Sequence, residues 1–185
     1  MRDLHLPGRS VAYGCNGAAA TSQQLSTMLA IEVLRSGGNA MDAALTASAA
    51  QCVIEPHNTG IGGDCFALYW RADQKKLYGY NGAGWAPAGL SDQSLLDQGI
   101  STLAPDSIHS VTVPGAVDAW SRLLADHGTR SFADILEPAI DLAENGFMVH
   151  ERTAADWAED GAKLHHDPGA REQLLLDGRA PLAGE

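Results

Sequence analysis

Apolar positions along the chain fall into runs of helical spacing, broken by glycine and proline. Leu25, Met28, Leu29 and Ile31 or Val33 recur at roughly helical spacing, with Thr21 or Ser22 placed to cap the run and Gly37-Gly38 to stop it. Asn39 and Asp42 form a capping-box pattern, which opens a second helix over about 40–53. That segment is dominated by small residues, with Ala, Leu, Thr and Ser making up most of it. Such smoothness on every side predicts a buried helix packed through small residues, ended by Glu55-Pro56. Residues 65–71 and 76–81 are rich in aromatic residues and joined by a short polar connection, predicting an antiparallel hairpin. Residues 11–13 and 111–113 are further short strand candidates. A helix is predicted from Pro114-Gly115 to about His127, with Val117, Trp120, Leu123 and Leu124 inward and Gly128 as its stop. Ser131 and Asp134 open another helix running to Asn145-Gly146, in which Pro138 predicts a break or kink near Glu137. Residues 151–162 read as a helix. So does the stretch from Arg171 through Leu174, Leu175 and Leu176, before a turn at Asp177-Gly178. Nothing from Pro181 to Glu185 resembles a closing element, and the chain reads as cut in mid-course.

Composition narrows the function classes. The 185 residues suffice for one domain with a sizeable core, and 45% apolar with 19% charged residues is ordinary for a soluble globular protein. The net charge of −11 offers no basic stripe, so neither nucleic acid nor an anionic membrane is an expected partner. No run is long and apolar enough to span a bilayer. Cys15, Cys52 and Cys65 leave one cysteine unpaired under any scheme and form no CxxC. Met1 to Ala20 holds no apolar run of signal-peptide length, so the expected setting is cytoplasmic.

The chemistry-bearing patterns mostly fail on context. Gly60-Ile61-Gly62-Gly63 follows a helix and precedes a strand, the reverse of a dinucleotide loop, and no phosphate-loop lysine exists. No G-x-S-x-G elbow is present. Cys65 near His57 suggests a Cys–His pair, yet a cysteine opening an apolar strand is usually a small core residue. His165-His166-Asp167 are adjacent in sequence, so their side chains do not converge on one ion, and a solvated loop is expected. Neither a metal nor a cofactor is expected, and no residue of the chain qualifies as an activated nucleophile. Asn81-Gly82-Ala83-Gly84 reads in isolation as a turn.

Taken together, the ordered segments say more. Ser36-Gly37-Gly38-Asn39-Ala40-Met41-Asp42-Ala43-Ala44, Glu55-Pro56-His57, Gly60-Ile61-Gly62-Gly63 and Val113-Pro114-Gly115 resemble the γ-glutamyltransferase (γ-glutamyltranspeptidase) family. So do Leu136-Glu137-Pro138-Ala139-Ile140-Asp141-Leu142-Ala143-Glu144-Asn145-Gly146-Phe147 and Asp177-Gly178-Arg179-Ala180-Pro181 through Gly184-Glu185. The match runs from about Ala12 onward. It implies an α+β N-terminal-nucleophile hydrolase, an αββα sandwich of which residues 1–185 are a single N-terminal segment of the large subunit. It further implies a zymogen that cleaves itself, leaving a new N-terminal threonine beyond this chain. That threonine, with its own α-amine as base, would take an acyl group from a γ-glutamyl or other small amide and pass it to water or an amine. The partner implied is the C-terminal small subunit of the same precursor.

Two departures stand out. Family members carry an arginine just after the hairpin, near an Ala-Pro pair, that clamps the substrate carboxylate. Here Tyr80-Asn81-Gly82-Ala83-Gly84-Trp85-Ala86-Pro87 contains no arginine, and Trp85 occupies that place; Arg71 is the nearest alternative, on the other side of the hairpin. Asn81 and Trp85 are therefore the expected substrate-binding residues. Gln23-Gln24 stands where relatives often carry His-Pro. A second reading is kept beside the enzyme: a non-catalytic scaffold subunit or truncated product that needs a partner chain.

Overall fold

The computed structural model describes residues 11–104 and 107–185. Its elements, in chain order, are helices α1 (Gln24–Arg35) and α2 (Ala40–Ile54), strands β1 (Cys65–Arg71) and β2 (Lys76–Gly82), and helices α3 (Asp92–Leu96), α4 (Ala116–His127), α5 (Phe132–Asn145), α6 (Glu151–Leu164) and α7 (Pro168–Leu174). A 3-10 turn at Ile108–Ser110 precedes α4. They form two compact units, one of the chain up to Gly60 with Gly128–Glu185, the other of Ile61–His127.

In the first unit α2 packs against both α1 and α5. Its buried side chains include Ala43, Ala47, Ala49 and Ala50, with Leu45 and Ile54. Alanines on several faces let both neighbours approach closely, which is why a helix with no polar face is stable here. Its start is fixed by the expected capping box. Asn39 Oδ1 accepts from the N–H groups of Met41 and Asp42 at 2.9 and 3.0 Å, and Asp42 Oδ2 accepts from Asn39 N at 2.8 Å. Asp42 is fully buried and does more than cap. It also accepts from Thr129 N (2.9 Å), Thr129 Oγ1 (2.6 Å) and Arg130 N (3.2 Å), tying α2 to the loop that leads into α5.

Several local expectations are corrected. The cap of α1 is Gln23, whose side chain accepts from Leu25 N, rather than Thr21 or Ser22. Those hydroxyls are committed elsewhere: Thr21 Oγ1 donates to Gln23 O at 2.6 Å and Ser22 Oγ to Glu55 Oε2 at 2.6 Å. Pro138 does not interrupt α5. Ile135 and Ala139, on either side of it, are both buried, so packing holds the helix through the single lost backbone bond. Residues 11–13 form no strand, and Val11 and Tyr13 are exposed without a ladder partner among the described residues. Helix α7 ends at Leu174, short of the expected leucine run. The turn beyond it is tight, with Asp177 at φ 51° and Gly178 at φ 78°, closed by Leu176 N to Arg179 O (2.8 Å) and Arg179 N to Leu176 O (3.0 Å).

In the second unit β1 and β2 pair antiparallel, from Cys65 opposite Gly82 to Arg71 opposite Lys76. One face packs on α4, whose inward stripe is Ala116, Ala119, Trp120, Leu123 and Leu124. Val117, expected inward, lies off that stripe and is exposed. His127 sits against the rings of Tyr69 and Tyr78, with centroids 4.9 and 4.8 Å away. The other face of β1 presents Phe66, Leu68 and Trp70, all exposed. Residues 111–113 form no strand; Val113 N makes one backbone bond, to Trp85 O at 2.9 Å.

Burial pushes the Asp42 carboxyl up, but the donors from Thr129, Asn39 and Arg130 outweigh it and hold it below the ordinary carboxylate value. A depressed folded-state pKa contributes stability above the unfolded value of about 3.9, and that stability is lost as pH falls. Asp42→Asn, which puts an NH2 where a carboxylate oxygen accepted, is expected to cost about 3 kcal/mol at neutral pH. The loss relative to wild type should shrink below about pH 4 in urea unfolding followed by circular dichroism.

Candidate functional site

The residues singled out from sequence lie where the hairpin meets the segment before α4. Past β2 the chain runs through Ala83-Gly84-Trp85 against the backbone of Val113 and the side-chain hydroxyl of Thr112. A Cβ on Gly84 would fall 1.4 Å from Val113 O, and one on Gly115 would fall 2.2 Å from Gly82 O. No side chain fits at either place, so glycine is a steric requirement rather than a turn preference. Hydrogen bonds complete the junction. Val113 N donates to Trp85 O at 2.9 Å, and the N–H groups of Gly115 and Ala116 both donate to Gly63 O at 3.0 Å. Three short segments, at Gly63, 82–85 and 113–116, are thereby joined backbone to backbone.

Both predicted binding residues belong to this junction. Asn81 is exposed, and its Oδ1 accepts from Ala83 N at 3.0 Å, which holds the amide along the chain. Trp85 is 86% exposed although its carbonyl is anchored. Ile61, Val111 and Val113 are further exposed apolar side chains of the same unit. Its cations are elsewhere engaged or distant along the ladder. Arg71 pairs with Asp73 at 3.1 Å, and Lys75 and Lys76 stand at the turn end, with Lys76 over the Tyr78 ring at 4.6 Å. Arg122 pairs with Asp118 at 2.9 Å.

The Cys65–His57 pairing suggested by sequence is not supported by the state of the thiol. Burial pushes the Cys65 thiol up, with a contact from Trp120 only partly offsetting it and Asp64 adding to it. Burial likewise pushes the Cys52 thiol up. Thiols held protonated are poor nucleophiles. His57 packs beside Trp157, with ring centroids 6.3 Å apart. His165 and His166 are exposed, and Asp167 caps α7 by accepting from Ala170 N at 2.8 Å. Among the described residues no group of three or more His, Cys, Asp or Glu is placed to hold a metal ion. What sequence reading missed is the double acceptor at Gly63 and the close approach at Gly115. Both sit in segments picked out for their glycines, but the contacts between them join residues distant in sequence.

The Gamma-glutamyltranspeptidase family model matches residues 26–185. The Glutathione hydrolase-like YwrD proenzyme of Bacillus subtilis is 35% identical over 173 residues, covering 93% of this chain and 33% of that protein. The structure is similar to that of the γ-glutamyltranspeptidase of Helicobacter pylori, with a TM-score of 0.87 and 26% identity over 95% of this chain and 51% of the other. It is also similar to the cephalosporin acylase of Bacillus halodurans, at a TM-score of 0.83 and 34% identity over 98% of this chain and 36% of the other. The chain thus spans about a third of the length of the curated relative, and its helices and hairpin are a portion of the N-terminal-nucleophile hydrolase fold. With family motifs in order along nearly all of it and the same fold beneath them, the chain belongs to the γ-glutamyltranspeptidase family.

Proposed function

We propose that the full-length protein is an amide hydrolase or acyltransferase made as a self-cleaving precursor, and that residues 1–185 supply scaffold and one wall of its acyl pocket. The observation that carries this reading is the family match across 26–185, together with relatives named as proenzymes that are about three times as long. The nucleophile in this scheme is a threonine downstream, freed as a new N-terminus. Its hydroxyl oxygen attacks the amide carbon while its α-amine takes the proton, the amine leaves, and water or a second amine releases the acyl group. A cytoplasmic setting fits the three free cysteines.

The partner in this proposal is the C-terminal remainder of the same precursor. The observation favouring it is the uncovered face of the hairpin: Phe66, Leu68, Trp70 and Leu77 are all more than half exposed. Two strands alone are marginal in water, and open edges invite pairing. Purified 1–185 is therefore expected to self-associate, with light scattering showing species larger than a monomer. A compact monomer stable to dilution would count against the need for a partner.

The same chain alone is expected to release no nitroaniline from γ-glutamyl-p-nitroanilide, because burial holds the Cys52 and Cys65 thiols protonated and it has no elbow serine. The full-length protein should cleave itself and turn over an anilide, and replacing its new N-terminal threonine by alanine should abolish that. Turnover by 1–185 that survives repurification and disappears in Cys65→Ala would overturn the assignment.

Substrate choice rests on Trp85. A charge-assisted pair to a substrate carboxylate is worth about 1.5–3 kcal/mol, or about ten- to a hundredfold in discrimination. An exposed indole offers a flat apolar face and one N–H donor instead, which suits an acyl group uncharged or aromatic at that end. The full-length enzyme is expected to favour amides lacking a free α-carboxylate over glutathione, with Trp85→Arg shifting the preference back. Comparing kcat/KM for γ-glutamyl and simple acyl anilides decides it; a wild type favouring the γ-glutamyl compound by about tenfold or more would make Trp85 a packing residue.

A further inference from the structure

The chain holds three Asn-Gly pairs: Asn16-Gly17, Asn81-Gly82 and Asn145-Gly146. In such a pair the glycine amide nitrogen can attack the preceding side-chain carbonyl carbon, because no Cβ shields the approach. The attack needs a glycine N–H open to base, an asparagine side chain free to turn back on it, and a backbone able to rearrange.

The fold treats the three pairs differently. At the end of α5, Gly146 N donates to Leu142 O at 3.0 Å and Asn145 Nδ2 to Asp141 Oδ1 at 2.8 Å, so nucleophile and side chain are both occupied. At the end of β2, Gly82 is buried opposite Cys65, and a Cβ there would fall 2.6 Å from Ala119 Cβ. The Asn81 side chain is also engaged, by Ala83 N. Rearranging that backbone would break the ladder and the glycine junction together. Asn16 and Gly17 lie outside any helix or strand, and both are exposed. Among the described residues no hydrogen bond holds the Asn16 side chain or the Gly17 amide. Both line an open depression of about 340 Å³ with Ile31, Leu34 and Arg35, which gives solvent base access to them.

We propose that Asn16 is a spontaneous deamidation site of this protein, and that the fold shields Asn81 and Asn145 from the same reaction. Hydroxide removes the Gly17 amide proton, and the nitrogen forms a bond to Asn16 Cγ. The resulting oxyanion collapses with cleavage of the Cγ–Nδ2 bond, and the nitrogen leaves with a proton as ammonia. Water then opens the five-membered succinimide at either carbonyl, giving aspartate or isoaspartate. No redox change is involved. The product carries one more negative charge beside Cys15; at Asn81 the same change would put that charge four residues from Trp85, where the glycine junction now prevents it.

The test compares each pair with itself unfolded. The full chain is held at mildly alkaline pH, folded or in urea, digested at intervals, and the three peptides are scored by mass spectrometry for Asp and isoAsp. In urea all three should convert at similar rates. In the folded protein Asn16 should keep its urea rate within about threefold, while Asn81 and Asn145 slow by about tenfold or more. Slowing of Asn16 by as much as the others, or conversion of either of those at its urea rate, overturns the proposal. Asn16→Gln should remove the acidic isoform that accumulates on isoelectric focusing; its persistence in that variant would equally overturn it.

Discussion

The first unit depends on burying one carboxylate in the right place. A helix as rich in alanine as α2 has little side-chain shape to fix its position, because smooth surfaces pack in many registers. Asp42 removes that freedom. Its two oxygens accept from Asn39, Thr129 and Arg130, so the helix start, the turn before it and the loop before α5 share one anchor. A buried charge is tolerated only when its donors are all in place, and this makes the arrangement unforgiving of small displacements. Arg130 adds to it by donating to Ser36 O and Oγ at 2.9 and 2.7 Å.

The second unit solves a similar problem with backbone alone. Gly84 and Gly115 let carbonyl and amide groups of distant segments approach to a separation that any Cβ would forbid. With Gly63 O accepting two N–H groups at the start of α4, the loop before β1 is tied to the same junction. A junction made of backbone is stiff, since its hydrogen bonds involve no side-chain rotamers. Trp85 extends from this base with its carbonyl anchored and its side chain in solvent. The cations of this unit are engaged away from the junction, Arg71 with Asp73, Arg122 with Asp118 and Lys76 over the Tyr78 ring.

Local signals were legible wherever the physics is local. The capping boxes at Asn39/Asp42 and Ser131/Asp134, the glycine stops and the aromatic hairpin all depend on residues within a few positions of one another, and each formed as read. The small-residue pattern of α2 also announced its burial. Where two local readings competed, packing chose. Ser22 was a sound cap until Glu55 claimed its hydroxyl, and Pro138 was a sound break until Ile135 and Ala139 were buried on both sides of it. The short helix α3, with its Ser91/Ser94 capping box, went unread because serine pairs are common in loops.

By itself, then, the sequence determined the longer helices, the hairpin, the caps at Asn39 and Ser131, and the family, because the motifs Ser36 to Ala44, Glu55 to Gly63 and Val113 to Gly115 occur in order at compatible spacing. It also named Asn81 and Trp85 as one neighbourhood, since four residues separate them. Only the tertiary structure decided why Gly84 and Gly115 are irreplaceable, that Asp42 serves two segments 87 residues apart, and that Val113 bonds to Trp85 without forming a strand. The physical reason is common to all three. A cap or a turn is a contact along the chain, whereas a close approach or a shared acceptor is a contact across it, and its geometry exists only after the chain has folded.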